Sequence, residues 1–186
     1  MKIIVPLAEG FEEIEAITII DVLRRAGCDV TSASVGKNPV RGAHGIPVTA
    51  DADIQSLKES DFGCIVLPGG MPGSENLKKS GKVVSFIQYL LTKNGYTCAI
   101  CAAPMVLGHA GALHGKKATC YPGIEPHMTG AVPTGNPVEV DGRVITGRGP
   151  GCAIPFALEI AKELVGAKKK ADLVDEMQVY WMQGRS

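Results

Sequence analysis

The feature that most limits what this chain can fold into is the regular exchange of two kinds of apolar run. Short runs of strand length alternate with longer stretches of helical period. Lys2–Leu7 reads as a buried strand and Phe11–Ala26 as a helix, stopped by Gly27 in the position glycine favours after a helix. Asp29–Val35 is a second strand, and Val40–Thr49, with Gly42 and Gly45, a short hairpin. Cys64–Leu67 is a strand ending in Pro68-Gly69-Gly70, Lys82–Thr92 a helix, Tyr96–Ile100 a strand and Pro104–His109 a short helix. Val138–Val140 and Val144–Thr146 flank the turn Asp141-Gly142-Arg143, and Pro150–Val165 closes as a helix before Gly166. Such alternation with short connections predicts an α/β fold, a doubly wound and mainly parallel sheet sandwiched by helices, with a small hairpin. In sheets of this kind, sites form at the carboxyl ends of the strands. The loops after Leu7, Leu67 and Ile100 are therefore where chemistry is expected.

Bulk properties narrow the function. A length of 186 residues suits one domain, spanning residues 1–186. Formal net charge is zero, so nothing points to nucleic acid or a charged membrane surface as a partner. Lys168, Lys169 and Lys170 form a run too short for a nucleic-acid arm, and are expected as a solvated loop near the end of a helix. No stretch approaches the roughly 20 apolar residues that span a bilayer, and no leader-like segment precedes the first strand, so a cytoplasmic location is expected. Cysteines 28, 64, 98, 101, 120 and 152 should then be mostly free thiols. Cys98 and Cys101 satisfy C-x-x-C, but Cys98 lies inside a strand run. Residues three apart in a strand face opposite ways, which argues against a disulfide or a zinc site there.

Three loops carry candidate chemistry. After the first strand comes Glu9-Gly10-Phe11-Glu12-Glu13-Ile14-Glu15. Glu12 and Glu13 suit the positive end of a helix. Glu15 has Phe11 and Ile19 one helical turn away on either side, with Thr18 and Val22 nearby; so apolar a setting predicts a raised pKa and a carboxyl able to donate a hydrogen bond. After the second comes Pro68-Gly69-Gly70-Met71-Pro72-Gly73, whose backbone can approach a ligand closely but which has neither P-loop nor dinucleotide spacing. After the third comes Ala99-Ile100-Cys101-Ala102-Ala103-Pro104. A cysteine between an apolar strand and an opening helix resembles a nucleophile elbow, and the helix start is expected to lower its pKa.

Together with Asp21–Gly27, Val66–Gly70, Thr146–Gly151 and Phe156–Leu158, these loops resemble the DJ-1/PfpI superfamily over nearly the whole chain, most nearly its DJ-1/YajL branch, often labelled ThiJ-like. The resemblance implies a flavodoxin-like sandwich and a homodimer, to which Ile17, Ile20 and Leu23 could contribute if they are not core. It places Cys101 on the nucleophilic, oxidation-sensitive cysteine and Glu15 on the glutamate bonded to that sulfur. Gly70 and Ala102 fall where backbone N–H groups form an oxyanion-type pocket. Two departures stand out. Ala102 replaces the histidine that follows the cysteine in protease-like branches, which argues against a peptidase. Tyr121 stands where other DJ-1-like members have a histidine, and a phenol with a pKa near 10 is a poor base at neutral pH. His44, His109 and His114 have no motif that places them at Cys101, while His127 is near enough to Tyr121 in sequence to be an auxiliary candidate.

The resemblance implies a cofactor-independent, metal-free glyoxalase or deglycase acting on methylglyoxal-like aldehydes or glycated protein. Cys101 would attack the aldehyde, the two N–H groups would hold the oxyanion, and Glu15 would carry a proton between carbons. The alternative is a redox-sensing or chaperone-like stress protein in which Cys101 is oxidised to a sulfinate that Glu15 stabilises. The label of thiazole monophosphate biosynthesis, common on ThiJ-like sequences, finds no phosphate-binding motif here.

Overall fold

Burial of period two along the first strand sets the architecture. In a computed structural model that describes residues 1–180, β1 (Lys2–Ala8) sends Ile3, Val5 and Leu7 to one side of a sheet and Ile4 and Ala8 to the other. Both sides are dry, so β1 is a central strand. Residues 181–186, which the single-domain reading includes, lie outside the described residues.

Seven strands form the main sheet. They are β1, β2 (Asp29–Val35), β5 (Ala52–Asp53), β6 (Cys64–Leu67), β7 (Tyr96–Ile100), β10 (Val138–Asp141) and β11 (Val144–Gly147), in the order β10-β11-β7-β6-β1-β2-β5. All pair in parallel except β10, which runs antiparallel to β11 across the expected Asp141-Gly142-Arg143 turn. The hairpin of β3 (Val40–Arg41) and β4 (Pro47–Val48) is separate, as is a small parallel pair, β8 (Lys117–Ala118) with β9 (Val132–Pro133). This is the mainly parallel sandwich with a small hairpin that the alternation predicts, and the flavodoxin-like one that the resemblance implies.

Helices cover both faces. α1 (Glu13–Arg25) and α5 (Ala153–Val165) pack on the face of Ile3, Val5, Leu7, Cys98 and Ile145. α2 (Gly73–Lys79), α3 (Gly81–Thr92) and α4 (Pro104–His109) pack on the other, through Leu77, Phe86, Leu90 and Val106 against Ile4, Ile65 and Leu67. α1 buries Ala16, Ile19, Val22 and Leu23, at about 1.5–3 kcal/mol for each large side chain. It ends where Gly27 N–H bonds the Arg24 carbonyl (2.9 Å) and Cys28 N–H bonds that of Leu23 (3.0 Å), the paired closure of a glycine-stopped helix.

Several expectations are corrected. The first helix begins at Glu13, because Glu12 is still extended chain and Phe11 before it closes a turn onto Ala8 with its ring buried in the core. The last begins at Ala153, preceded by a tight 3₁₀ turn over Pro150–Cys152. Lys168, Lys169 and Lys170 are not a loop. They lie in a further helix, α6 (Ala167–Glu176), held to α5 by the Lys170–Glu159 ion pair and to the core by Leu173 and Val174. Of the three apolar residues weighed for an interface, Ile20 and Leu23 are core while Ile17 is exposed. Among the described residues, no helix is long and apolar enough to cross a membrane.

Candidate active site

From β1 the chain winds to β2 on one side and to β6, β7 and β11 on the other, so the strand order reverses between β1 and β6. The crevice at the carboxyl ends of those strands is where such sheets bind ligands. It receives the β1–α1 loop, the Gly69-Gly70 turn after β6 and Cys101 after β7.

Cys101 adopts φ +64°, a left-handed conformation that a residue with a Cβ rarely takes and that costs about 1–2 kcal/mol. Long-range bonds hold it there. Its N–H bonds the Gly147 carbonyl (2.9 Å) at the end of β11, and its own carbonyl accepts from Tyr121 N–H (2.9 Å). The turn lifts the sulfur out of the sheet, as the elbow reading expects. Cys101 is 8% exposed and opens on a cavity of about 470 Å³ lined also by Glu12, Ile14, His44, Gly70 and Tyr121.

Glu15, on the first turn of α1, is 0% exposed. One carboxyl oxygen, Oε2, accepts from Gly69 N–H at 2.7 Å. The other, Oε1, is buried with no nitrogen or oxygen partner, and the Cys101 thiol is the hydrogen-bonding side chain beside the carboxyl. Burial is the main cause that lifts the Glu15 pKa to about 7, against the opposing pull of the Gly69 N–H and the thiol. Position 69 must be glycine for this contact: a Cβ there would stand 2.7 Å from both the Cys101 Cβ and Glu15 Oε2.

The expected drop in the Cys101 pKa is not what this environment produces. Burial, then the charge of Glu15, then its hydrogen bond push the thiol up to about 12; only the backbone N–H groups of Gly70 and Ala102, both directed at the sulfur, pull the other way. The short helix start cannot offset a carboxylate in direct contact. A protonated Glu15 changes the balance, because it removes the opposing charge and offers its O–H to sulfur. Thiol and carboxyl therefore work as one unit. Protonation of Glu15 removes one of the causes that hold the thiol neutral, while burial, the largest, stays.

Of the auxiliary candidates, Tyr121 lines the cavity and His127 does not; His127 sits in an exposed 3₁₀ turn, Glu125–His127. The histidine that does reach the cavity is His44, which no sequence motif placed there. Its hairpin is laid over the β1–α1 loop by two backbone bonds of 2.8 Å, Gly10 N–H to Arg41 and Ala43 N–H to Phe11. Glu13 then fixes it: Oε1 accepts from His44 N–H (2.8 Å), and Oε2 lies 3.0 Å from the ring Nδ1. The sequence clue was Gly42, where a Cβ would collide with the Glu13 carboxyl at 2.3 Å.

Cys98 is buried among core residues beside Cys64 and forms no disulfide with Cys101; all six cysteines are free. Both Cys98 and Cys101 join the α1–α5 core, since the left-handed turn at Cys101 ends the strand alternation at Ile100. Glu12, Glu13 and His44 gather their polar atoms within 4.8 Å, and the Glu13 oxygens there are occupied by the His44 and Ile46 N–H groups and the imidazole.

The DJ-1/PfpI family model matches residues 1–163. Protein dj-1beta of Drosophila melanogaster is 37% identical over 179 residues, covering 95% of this chain and 96% of the relative. A Caenorhabditis elegans relative named glutathione-independent glyoxalase DJR-1.2 is 34% identical over 168 residues, 89% of each chain. The chain spans less than half the length of Arabidopsis thaliana DJ-1 homologs A and B, covering 45% and 40% of them at 40% and 39% identity. The solved structure of oxidized Toxoplasma gondii DJ-1 superposes with a TM-score of 0.90 at 36% identity, covering 95% of this chain and 97% of that one.

Proposed function

Since this chain belongs to the DJ-1/PfpI family, we propose that it is a cofactor-independent, cysteine-dependent glyoxalase that converts methylglyoxal-like 2-oxoaldehydes, free or as adducts on protein, to 2-hydroxy acids. The observation that carries this reading is the Cys101 sulfur, lifted by a strained turn to a cavity between two backbone N–H donors and a buried carboxyl that is half-protonated near pH 7. The relative named a glutathione-independent glyoxalase agrees with it.

The chemistry follows from the placement. The sulfur adds to the aldehyde carbon and forms the C–S bond, and the carbonyl oxygen takes a proton to give a hemithioacetal. Gly70 and Ala102 N–H stabilise the charge on that oxygen as the bond forms. Glu15 then removes the proton from the aldehyde-derived carbon and returns one to the neighbouring carbon, while the hemithioacetal hydroxyl proton passes to the neighbouring oxygen, oxidising the first carbon and reducing the second. A thioester results, and water hydrolyses it to the acid and regenerates Cys101. A carboxyl with a pKa of about 7 suits this duty, since it accepts and donates with similar ease at neutral pH.

The test is lactate formation from methylglyoxal by wild type and Cys101→Ser under reducing conditions. Turnover in the wild type that falls to background in the variant is expected. Turnover that survives in the variant would remove Cys101 from the mechanism.

A second reading rests on the same unpartnered Oε1. A Cys101 sulfinate would find a hydrogen-bond donor ready in protonated Glu15. No turnover in the wild type, with Cys101 oxidised readily by peroxide, would favour this sensor role.

A further inference from the structure

The reaction proposed above needs two kinds of proton traffic. Transfer between the two substrate carbons must be shielded from water, and Glu15 is fully buried on the inner side of the sulfur. Thioester hydrolysis must instead admit a water and take a proton from it. Glu15, fully buried, is poorly placed for that.

His44 supplies what is missing. Its side chain is 69% exposed, yet it lines the same cavity as Cys101, so it stands where solvent enters. Its Nδ1 is engaged by Glu13 at 3.0 Å, with Glu12 Oε2 next at 3.4 Å, which leaves Nε2 as the free ring nitrogen. A carboxylate that holds one imidazole nitrogen fixes the tautomer and presents the other nitrogen as a base. The carboxylate is itself secured. Burial would raise the Glu13 pKa, but hydrogen bonds from the His44 ring and from backbone N–H groups including those of His44 and Ile46 outweigh it and keep Glu13 ionised.

We propose that His44, oriented by Glu13, is the general base that activates water for hydrolysis of the Cys101 thioester. This inference rests on the glyoxalase reading and assigns its last step. Water gives a proton to Nε2 while its oxygen bonds to the thioester carbon. The C–S bond breaks, and His44 passes the proton to the departing sulfur. Acid leaves, thiol and imidazole are restored, and no oxidant or reductant is consumed. The groups at the ring are Glu12, just before α1, and Glu13, its first residue; Cys101 and Tyr121 line the same cavity. The Glu13 hydrogen bond, then the charges of Glu12 and Glu13, raise the His44 pKa, so acid takes away the neutral base form sooner than it would from an ordinary imidazole.

The experiment compares wild type, Cys101→Ser, His44→Gln and Glu13→Gln with methylglyoxal, by steady-state lactate release and by intact-protein mass spectrometry of the quenched enzyme. His44→Gln should lower kcat about 10²-fold or more and accumulate a lactoyl adduct on Cys101, an outcome that mere disturbance of the fold would not give. Glu13→Gln should move the acid limb of the kcat profile to lower pH. Unchanged kcat in His44→Gln, or loss of turnover with no adduct, would overturn the assignment while leaving the Cys101 chemistry intact. A wild type that makes no lactate would overturn both.

Discussion

Replacing Glu15 with Gln should stabilise the fold at alkaline pH and not in acid. The carboxyl ionises at about 4.5 in an unfolded chain and at about 7 in the folded one, chiefly because it is buried. Below pH 4.5 it is protonated in both states. As pH rises toward 7, the unfolded chain releases its proton first, so the folded state progressively loses stability. At about 1.4 kcal/mol per pH unit the loss reaches about 3 kcal/mol above pH 7. Gln is the matching neutral group: its oxygen can still accept the 2.7 Å bond from Gly69 N–H, and it never ionises. Urea unfolding of wild type and Glu15→Gln at pH 4.5 and pH 8.5 measures the difference. The variant should gain roughly 2–3 kcal/mol on wild type between the two conditions, both proteins carrying Cys101→Ser so that the coupled thiol adds nothing to the difference. An offset that is the same at both pH values would show that Glu15 is not held neutral by burial, and would refute its role as a proton carrier poised near pH 7.

Two further outcomes follow from packing. Gly69→Ala should destabilise the fold by about 1–3 kcal/mol in thermal unfolding and sharply slow alkylation of Cys101, because the added methyl meets the Cys101 Cβ and Glu15 Oε2 at 2.7 Å. On α1, Ile14 and Ile17 are 58% and 46% exposed, an apolar stripe one turn long. If the homodimer expected of the family forms through this stripe, sedimentation equilibrium gives twice the chain mass for wild type. Ile17→Lys should then give monomer without lowering the far-UV helix signal; a monomeric wild type would remove the proposal.

The parts of the fold legible in the sequence are those whose burial is periodic. β1, β6, β7 and β11 are largely apolar runs because both their faces are covered, β2 carries the Val, Thr and Ser of a strand, and α1, α3 and α5 carry full apolar stripes. Elements without such a signal were not legible. α2 buries only Gly73, Ser74 and Leu77; α6 touches the core through Leu173 and Val174 alone, so its lysines read as loop; β5, β8 and β9 are pairs of two residues. The site divides the same way. Cys101, Gly70 and Ala102 lie in the turns after β7 and β6 and Glu15 opens the helix after β1, and topology brings those strand ends together. His44 arrives through a carboxylate bonded to backbone of a hairpin some thirty residues away, a contact that leaves no periodic trace. The rise in the Cys101 pKa has a similar origin: local pattern shows the helix start, whereas the burial that does most to raise it belongs to the folded chain.

The left-handed turn at Cys101 also bears on how such a chain can evolve. Glycine would relieve the backbone at that position, and selection for backbone stability alone would favour it there. A cysteine maintained at φ +64° is therefore a standing trade of stability for the placement of one sulfur atom. The anchors at Gly147 and Tyr121 make that trade tolerable, so the placement of the sulfur depends on backbone groups supplied by two distant segments of the chain.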